Sequence, residues 1–459
     1  MKAAAVGAPA HGSADRTADI YLISNLKDKS LVTKKINRRQ FIKSSGALLG
    51  AVTMPMFIPA RALGRDGHTA PSDRIIMASI GLGGQGRVDL RNLIHKDGVH
   101  FVAVCDVDRA HLMRGKGIVD ATNDNEDCTL YSDFRELLQR TDLDAVHLAL
   151  PDHWHGVAAI TAAKAGLDIY SQKPFTRTIC EGRVLCDAVE QYNVIFQTGT
   201  QQRSDERFRL ACELVQNGRV GKVYKVEVGI PAGKAAMEPY PIVPVPDGLD
   251  WNFWLGPAPK VPYRKIAHYS WRYIQDYGFG GLTDWGVHHI DIAQWGLGED
   301  RSGPVEVEGT GTIPKEGIFN VPIDFNLNYT YKNGIRMNVA NRGNKGGATW
   351  YGDKGWVNVS RGQISAEPAS ILQEWIAPNE IHLYDSKDHY QNFVDCIRSR
   401  KETITPCEVG HRSTSVPNLG EIAIMTGRKL TWNPDKEIFS NDPEANRLLS
   451  RPIRAPWTI

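Results

Sequence analysis

Residues 74–87 read Arg74-Ile75-Ile76-Met77-Ala78-Ser79-Ile80-Gly81-Leu82-Gly83-Gly84-Gln85-Gly86-Arg87; a helical stretch follows, then Val102-Ala103-Val104-Cys105-Asp106. An apolar run, a glycine-rich turn, a helix and a second apolar run ending in an acid make the opening β-α-β of a dinucleotide-binding domain. Gly81 lets the chain turn sharply off the strand, Gly83 lets the backbone approach a pyrophosphate, and Gly86 lets the helix pack close to the sheet. The N-terminus of that helix offers unpaired N–H groups to phosphate oxygens. Asp106 stands twenty residues after Gly86, where a carboxylate accepts from a ribose 2′-hydroxyl and repels a 2′-phosphate. NAD is therefore expected rather than NADP, with Arg109 the nearby cation that works the other way.

The chain has 459 residues, enough for two or three domains with substantial cores, and a formal charge of +2. No basic stripe alternates with aromatics, so a nucleic-acid partner is not expected. Seven cysteines are scattered without C-x-x-C or Cys/His spacing, which gives neither a metal site nor a disulfide framework. Cys105, Cys180, Cys186 and Cys396 fall in apolar patterns and read as buried thiols.

Ahead of the glycine turn, residues 1–37 show no periodic pattern. Asn37-Arg38-Arg39-Gln40-Phe41-Ile42-Lys43 and the mildly apolar run Ser44 to Pro59 resemble a twin-arginine signal. Gly46, Gly50 and Pro55 break the run, so no stable membrane span is expected. Ala60-Arg61-Ala62 fits a small-x-small cleavage site. Residues 1–62 are thus read as an extension with an export signal, and the protein as periplasmic or otherwise exported. Twin-arginine export moves folded proteins, which suits one that acquires its dinucleotide in the cytoplasm.

Beyond Asp106 helix and strand alternate. Leu130 to Leu138 reads as a loop and helix capped by Ser132 or Asp133. Asp144 to Leu150 is a buried parallel strand, and Pro151-Asp152-His153-Trp154-His155 forms a loop at its carboxyl end, where open α/β sheets place ligands. A helix from about Gly156 to Ala165 ends at Gly166. Asp168 to Gln172 is the next strand, with Lys173-Pro174 at its end. Thr178-Ile179-Cys180-Glu181 is a capping box, Val194 to Gln197 another strand, and Thr198 to Arg203 its loop. Four successive strand ends deliver polar loops to one edge, over a Rossmann domain spanning 73–200.

From Gly221 the period changes to two. Lys222 to Val228, Val305 to Glu308, Asp324 to Tyr331, Arg336 to Asn341 and a hairpin turning at Asp353-Lys354-Gly355 lack intervening helices. The fold class is therefore an α/β Rossmann domain followed by an α+β domain, 201–459, with a large open, mostly antiparallel sheet. An aromatic insert between the first two strands contains Asp250-Trp251-Asn252-Phe253-Trp254 and Trp271-Arg272, a composition suited to carbohydrate or to packing on the sheet. It ends at Gly280-Gly281-Leu282-Thr283-Asp284-Trp285-Gly286-Val287-His288-His289-Ile290-Asp291. On one helix starting near Thr283, residues 284, 288 and 291 share a face. That arrangement reads either as a carboxylate-supported general base or as an N-capping Asp284 with a buried, satisfied histidine. Asp388 to Arg400 and Gly410 to Thr426 read as amphipathic helices.

Gly-x-Gly-Gly-x-Gly-Arg at 81–87, Pro-Asp-His-Trp-His at 151–155 and Gln-Lys-Pro at 172–174 together resemble the Gfo/Idh/MocA family of sugar and cyclitol oxidoreductases. The family usually reads Glu-Lys-Pro where this chain has Gln172-Lys173-Pro174. The resemblance implies a tightly bound NAD contacted by Gly81, Gly83, Gly84, Gln85, Gly86, Arg87, Asp106, Pro151, His155 and Lys173. It implies an unusual peptide bond, cis among the options, before Pro174. Lys173 becomes an electrostatic and proton-relay group beside the reacting hydroxyl. The Asp-x-x-x-His of inositol-dehydrogenase-like members makes His288 the base and Asp284 the group that orients it or the substrate. Arg203, Trp271 and Asp291 become substrate-contact candidates. The helix near 410–426 would pack back onto the first domain, and the second sheet would carry a dimer or tetramer contact. The implied function is NAD-dependent oxidation of a secondary hydroxyl of a sugar or glycoside, with the glycoside 3-hydroxyl favoured. Its rivals are a redox-neutral NAD-dependent glycosidase and a catalytically silent NAD-binding sugar sensor or scaffold.

Overall fold

Six parallel strands build the first sheet, in the order β3-β2-β1-β4-β5-β6. They are β1 (Ile75–Ile80), β2 (Val99–Cys105), β3 (Thr129–Tyr131), β4 (Ala145–Leu148), β5 (Asp168–Ser171) and β6 (Phe196–Thr198). The computed structural model describes residues 69–234, 238 and 240–459; the export-signal reading of 1–62 lies outside the described residues. β1 and β4 are central, buried on both faces, and accordingly apolar. The strand order reverses between β1 and β4, so their carboxyl ends open a crevice where the glycine turn and Pro151 meet.

Three local readings differ from the structure. Leu130 and Tyr131 belong to β3, paired to β2, where a loop was expected; three residues are too few for alternation to register. The helix after them is capped by Asp133, whose carboxylate accepts from Arg135 N–H. The 151–155 segment is the first turn of helix Asp152–Lys164, capped at Pro151, and not a loop. Proline supplies the helix-entry backbone and Asp152 the acidic first turn, while His153, Trp154 and His155 are all buried. The Thr178 box is half formed: Thr178 Oγ1 accepts from Glu181 N–H, but Glu181 turns to accept from Arg177 N–H instead of Thr178.

The second sheet has nine strands in the order β13-β12-β11-β7-β10-β9-β8-β14-β15. These are β7 (Val223–Gly229), β8 (Glu306–Thr312), β9 (Asp324–Thr330), β10 (Arg336–Ala340), β11 (Gly347–Gly352), β12 (Gly355–Ser360), β13 (Gln363–Glu367), β14 (Leu430–Asn433) and β15 (Ile438–Phe439). Only β7 and β10 run parallel; every other pair is antiparallel. One face of β9 buries Phe325, Leu327 and Tyr329 while the residues between face outward, and helix Gly286–Leu297 packs on the β7 and β11 side of that core. Helix Cys407–Thr426, beginning three residues before the expected Gly410, packs against β8 and against helix Ile179–Tyr192 of the first domain.

The aromatic insert is bolted to the first domain rather than laid on the second sheet. Arg109 N–H donates to Gly248 O (2.8 Å) and Asp250 N–H to Val107 O (3.0 Å). His153 Nε2 and Trp154 Nε1 both meet Trp254 O. The C-terminal segment closes the same joint: Arg454 contacts Gly256 O and Asn252, and Trp457 packs edge-on to Trp154 at 4.7 Å.

All seven cysteines are free thiols, and Cys180 is half-buried rather than buried. Among the described residues no helix is long and apolar enough to cross a membrane and no His/Cys/Asp/Glu cluster could hold a metal ion.

Candidate active site

The glycine turn forms because its backbone has no room for side chains. Gly81 has φ +88°, and a Cβ there would meet Ala149 O at 2.3 Å; one on Gly86 would meet Gly81 O at 2.0 Å. Gly83 and Gly84 face open space, and no side chain caps helix Gly84–Ile94 at Gly83. Its first N–H groups are thus free for an anion, the arrangement a pyrophosphate needs. Asp106 is fixed by accepting from Leu82 N–H (2.7 Å) and Asp108 N–H (2.8 Å). Burial raises its pKa, against those two hydrogen bonds and nearby His111.

From this turn a cavity of about 930 Å³ runs to the second domain, within the range that holds a dinucleotide and a small substrate. Gly81, Gly83, Gly84, Gln85, Gly86, Asp106, Pro151, Lys173, Trp271, Asp284 and His288 all line it. The chemistry of these donors fits NAD: free helix N–H groups for its phosphates, a held carboxylate for its ribose, and the Lys173 cluster at the far end.

Lys173 sits at the carboxyl end of β5, before a cis peptide bond to Pro174. Its ammonium donates to Asp284 Oδ1 (2.5 Å) and to Asp284 O (2.9 Å). Arg272 Nε reaches the same Oδ1 at 3.2 Å. Burial raises the Asp284 pKa, but Lys173 and Arg272 together outweigh it and hold the carboxyl below its usual range. The expected pairing of Asp284 with His288 is therefore absent. The single helix assumed near Thr283 is two segments, Gly280–Asp284 and Gly286–Leu297, joined at Trp285. Asp284 ends the first and is drawn to the two cations.

His288 has no carboxylate partner, and its Nδ1 is buried without a hydrogen bond among the described residues. Burial, reinforced by Lys173 and Arg361, pushes its pKa well below the ordinary histidine value. It is a neutral imidazole beside a lysine ammonium, a proton acceptor across the whole neutral range. Its basicity is lowered, opposite to the carboxylate-supported base read from the spacing.

Four expected site residues lie elsewhere. Arg87 donates to Leu82 O and braces the glycine turn from outside the cavity. His155 is fully buried, with its two ring nitrogens facing Pro174 O and Leu150 O. As a neutral imidazole it donates to one of these carbonyls, and it packs between the backbone segments that carry Lys173 and Pro151. Arg203 and Asp291 are spent on each other: Nε lies 3.1 and 2.9 Å from the two carboxylate oxygens and Nη2 lies 2.7 Å from one. Ser413 Oγ also donates to Asp291 at 2.6 Å. Both side chains are buried, and Arg203 also reaches Asp300.

Arg361, in the turn between β12 and β13, and Arg272, at Asp284, also line the cavity. No local pattern marks Arg361, because the second sheet brings its turn to the cavity. Asp152 carries no signal in the sequence either; burial pushes its carboxyl up to about 7 against the fields of Arg272 and Lys173.

Comparison with known proteins follows the same division. Residues 75–200 match a family model described as "Oxidoreductase family, NAD-binding Rossmann fold". Residues 213–459 match one described as "Oxidoreductase family, C-terminal alpha/beta domain". Levoglucosan dehydrogenase of Pseudarthrobacter phenanthrenivorans is 28% identical over 169 residues, 37% of this chain and 36% of that protein. Alpha-N-acetylgalactosaminidase of Shewanella oneidensis is 29% identical over 209 residues, 41% of this chain and 44% of that protein. The matched stretch thus spans less than half the length of either relative. A solved levoglucosan dehydrogenase in complex with NADH and levoglucosan shares the fold, with a TM-score of 0.58 at 16% identity over 78% of this chain and 99% of that one.

Proposed function

The chain belongs to the Gfo/Idh/MocA oxidoreductase family, and from that premise we propose that it oxidises a secondary hydroxyl of a sugar or glycoside, the 3-hydroxyl of a glycoside being the favoured position. One observation carries this reading. Lys173 from the first domain is paired with Asp284 from the second, next to a bare neutral His288, in the cavity that the glycine turn opens. NAD, when bound, supplies the hydride acceptor.

The residues of this chain do the rest. His288 accepts the hydroxyl proton; being neutral, it needs no prior deprotonation. Lys173, held by Asp284, presents a positive charge to the oxygen as negative charge develops there. Asp284 positions Lys173 rather than His288. Asp106 and the helix at Gly84 bind the nucleotide.

The cofactor is retained between turnovers in this proposal. The insert and the C-terminal segment are fastened over the nucleotide end by the Gly248, Asp250, Trp254 and Arg454 contacts, so release requires parting them. Retention suits an exported enzyme, the localisation proposed from Arg38-Arg39 and the run after them, since a second sugar or another acceptor must regenerate the cofactor in place. The outer face of the second sheet is the proposed contact of a homo-oligomer.

The second reading is redox-neutral glycoside cleavage, favoured by the likeness to an α-N-acetylgalactosaminidase. Incubating the purified holoprotein with glycosides in D₂O and following them by NMR separates the two. A keto sugar without cleavage supports oxidation. Cleavage with exchange of the hydrogen at C2 and no ketone sinks it in favour of the glycosidase.

A further inference from the structure

The substrate end of the cavity carries more positive charge than the proposed chemistry uses. Lys173, Arg207, Lys234, Arg272 and Arg361 line it there, against the carboxylates of Asp205 and Asp284. Asp205 takes Arg207 through two hydrogen bonds and neutralises it. Asp284 is shared between Lys173 and Arg272. Arg361 and Lys234 have no carboxylate partner among the described residues.

Arg272 and Arg361 are also held in the same way. The Arg272 guanidinium lies over the Trp271 ring at 4.2 Å and spends only Nε, on Asp284. The Arg361 guanidinium lies over the Trp285 ring at 4.6 Å. It too spends only Nε: with the Gln202 amide turned so that both its ends are satisfied, the amide oxygen accepts from Arg361 Nε (3.2 Å) and the nitrogen donates to His288 O (2.7 Å). Each guanidinium is backed by an indole, and neither arginine has a hydrogen bond from its Nη atoms among the described residues. Two guanidinium forks with unspent Nη atoms, lining one cavity, are suited to recognition of an oxyanion. The cofactor does not account for them. The helix N-terminus that would meet its phosphates is at Gly84, while Arg361 stands near His288 and Asp284, whose electrostatics it touches.

We propose that the substrate is an acidic sugar, whose reacting hydroxyl faces His288 and whose oxyanion is taken by Arg272 and Arg361. The proposal rests on the dehydrogenase reading of the site for the position of the hydroxyl, but the anion site can be tested without turnover. The probes are neutral methyl glycosides and their 6-carboxylate and 6-sulfate counterparts in the gluco, galacto and manno series. Binding to the holoprotein is measured by calorimetry and oxidation by NMR, for the wild type and for Arg361→Gln. That side chain is exposed, so its loss leaves the fold intact.

At least one acidic probe is expected to bind about tenfold to a hundredfold more tightly than its neutral partner, with the preference shrinking in 0.5 M salt. Arg361→Gln should remove most of that preference, read as the ratio of acidic to neutral affinity within each protein. A carboxylate-over-sulfate preference names a sugar acid, and the reverse a sulfated sugar. Acidic binding that depends on Arg361 without any oxidation supports the anion site and sinks the dehydrogenase reading. Oxidation of neutral sugars with no acidic preference, or an acidic preference untouched by Arg361→Gln, overturns the proposal and leaves the dehydrogenase reading standing. Absence of binding by every acidic probe overturns it as well.

Discussion

Asp291→Asn separates a structural carboxylate from a substrate-binding one. In the native fold Asp291 accepts three contacts from Arg203 and one from Ser413, and the Arg203 and Asp291 side chains are only 2% and 1% exposed. The substitution keeps the shape and removes the charge, leaving Arg203 with the partly exposed Asp300 as its one carboxylate. Removing one partner of a buried pair costs about 3–5 kcal/mol, because the remaining charge stays desolvated. For a folded unit of roughly 400 residues, an unfolding entropy of about 2.1 cal/mol/K per residue comes to about 0.8 kcal/mol/K. The melting temperature should therefore fall by about 4–6 °C in a calorimetric scan of holoprotein. KM for whichever sugar is oxidised should stay within about threefold of wild type at a temperature well below the melt. Replacing both Arg203 and Asp291 by leucine should recover part of the loss, since well-packed apolar pairs substitute for buried ion pairs. An unchanged melt together with a tenfold rise in KM would refute the reasoning and return Asp291 to the substrate.

Lys173→Met should lower kcat/KM by about 10²–10⁴ while the dinucleotide still copurifies, checked by absorbance after denaturation. Phe253→Ala, which removes a ring stacked on Trp154 at 5.5 Å, should hasten cofactor loss on dialysis by more than tenfold; equal retention would count against the insert as a clasp. Acid should unfold the protein cooperatively between about pH 6 and pH 4. Burial holds His153 near pKa 3 and His155, His268, His289 and His389 near 4, all below the unfolded value of 6.5. The unfolded chain thus binds more protons in that window, and each such group costs about 1.4 kcal/mol per pH unit as pH falls below about 6.5. Asp152, raised to about 7, works the other way over the same window, as do Asp106 and Asp168, which burial also raises, while His288, lowered by burial, adds to the five histidines. Circular dichroism against pH tests the net sign. Gln172→Glu should destabilise the holoprotein more above pH 7 than at pH 5, read as the difference between two thermal melts.

The first domain was legible because its determinants are local. A strand, a turn that only glycine can make, a helix and an acid succeed one another within 33 residues, and the hydrogen bonds that close the turn, Gly81 N–H to Cys105 O and Leu82 N–H to Asp106, lie inside that span. The alternating strands of the second sheet were legible for the same reason, one face of each being buried. The misreadings share a cause too. Asp284 lies 111 residues from Lys173 and Asp291 lies 88 from Arg203, and helical spacing says nothing of such partners. Asp284, His288 and Asp291 do occur where one helical face would put them. A junction at Trp285 and three distant cations then give them three different employments. Even His155, a plausible cofactor contact by motif, is turned inward by two carbonyls.

The departure of Gln172 from the family's glutamate is resolved by the same kind of distant contact. Gln172 Nε2 donates to Asp89 Oδ2 at 2.8 Å, and Asp89 also accepts from Gln85 Nε2 and Tyr390 Oη, each at 2.8 Å. His147 Nε2 stands 3.2 Å away on the same carboxylate, its other nitrogen on Ser79 Oγ. Ser79, Asp89, His147 and Gln172 are buried beneath the glycine turn, while Gln85 is exposed and Tyr390 half-buried at its edge, and Asp89 belongs to the helix that starts at Gly84. A glutamate at 172 would set a second buried carboxylate against Asp89, and one of the two would have to hold a proton. With Asp89 in place, an amide is the residue that satisfies the network, and the negative charge of the cluster sits on the helix rather than at the strand end. Gln172 also lines the cavity beside Lys173. Lys173 therefore has no carboxylate beside it at 172, and Asp284 is the one that holds it. The ion pair that defines the site therefore joins the two domains, and the lysine takes its working position only when the second domain is docked against the first.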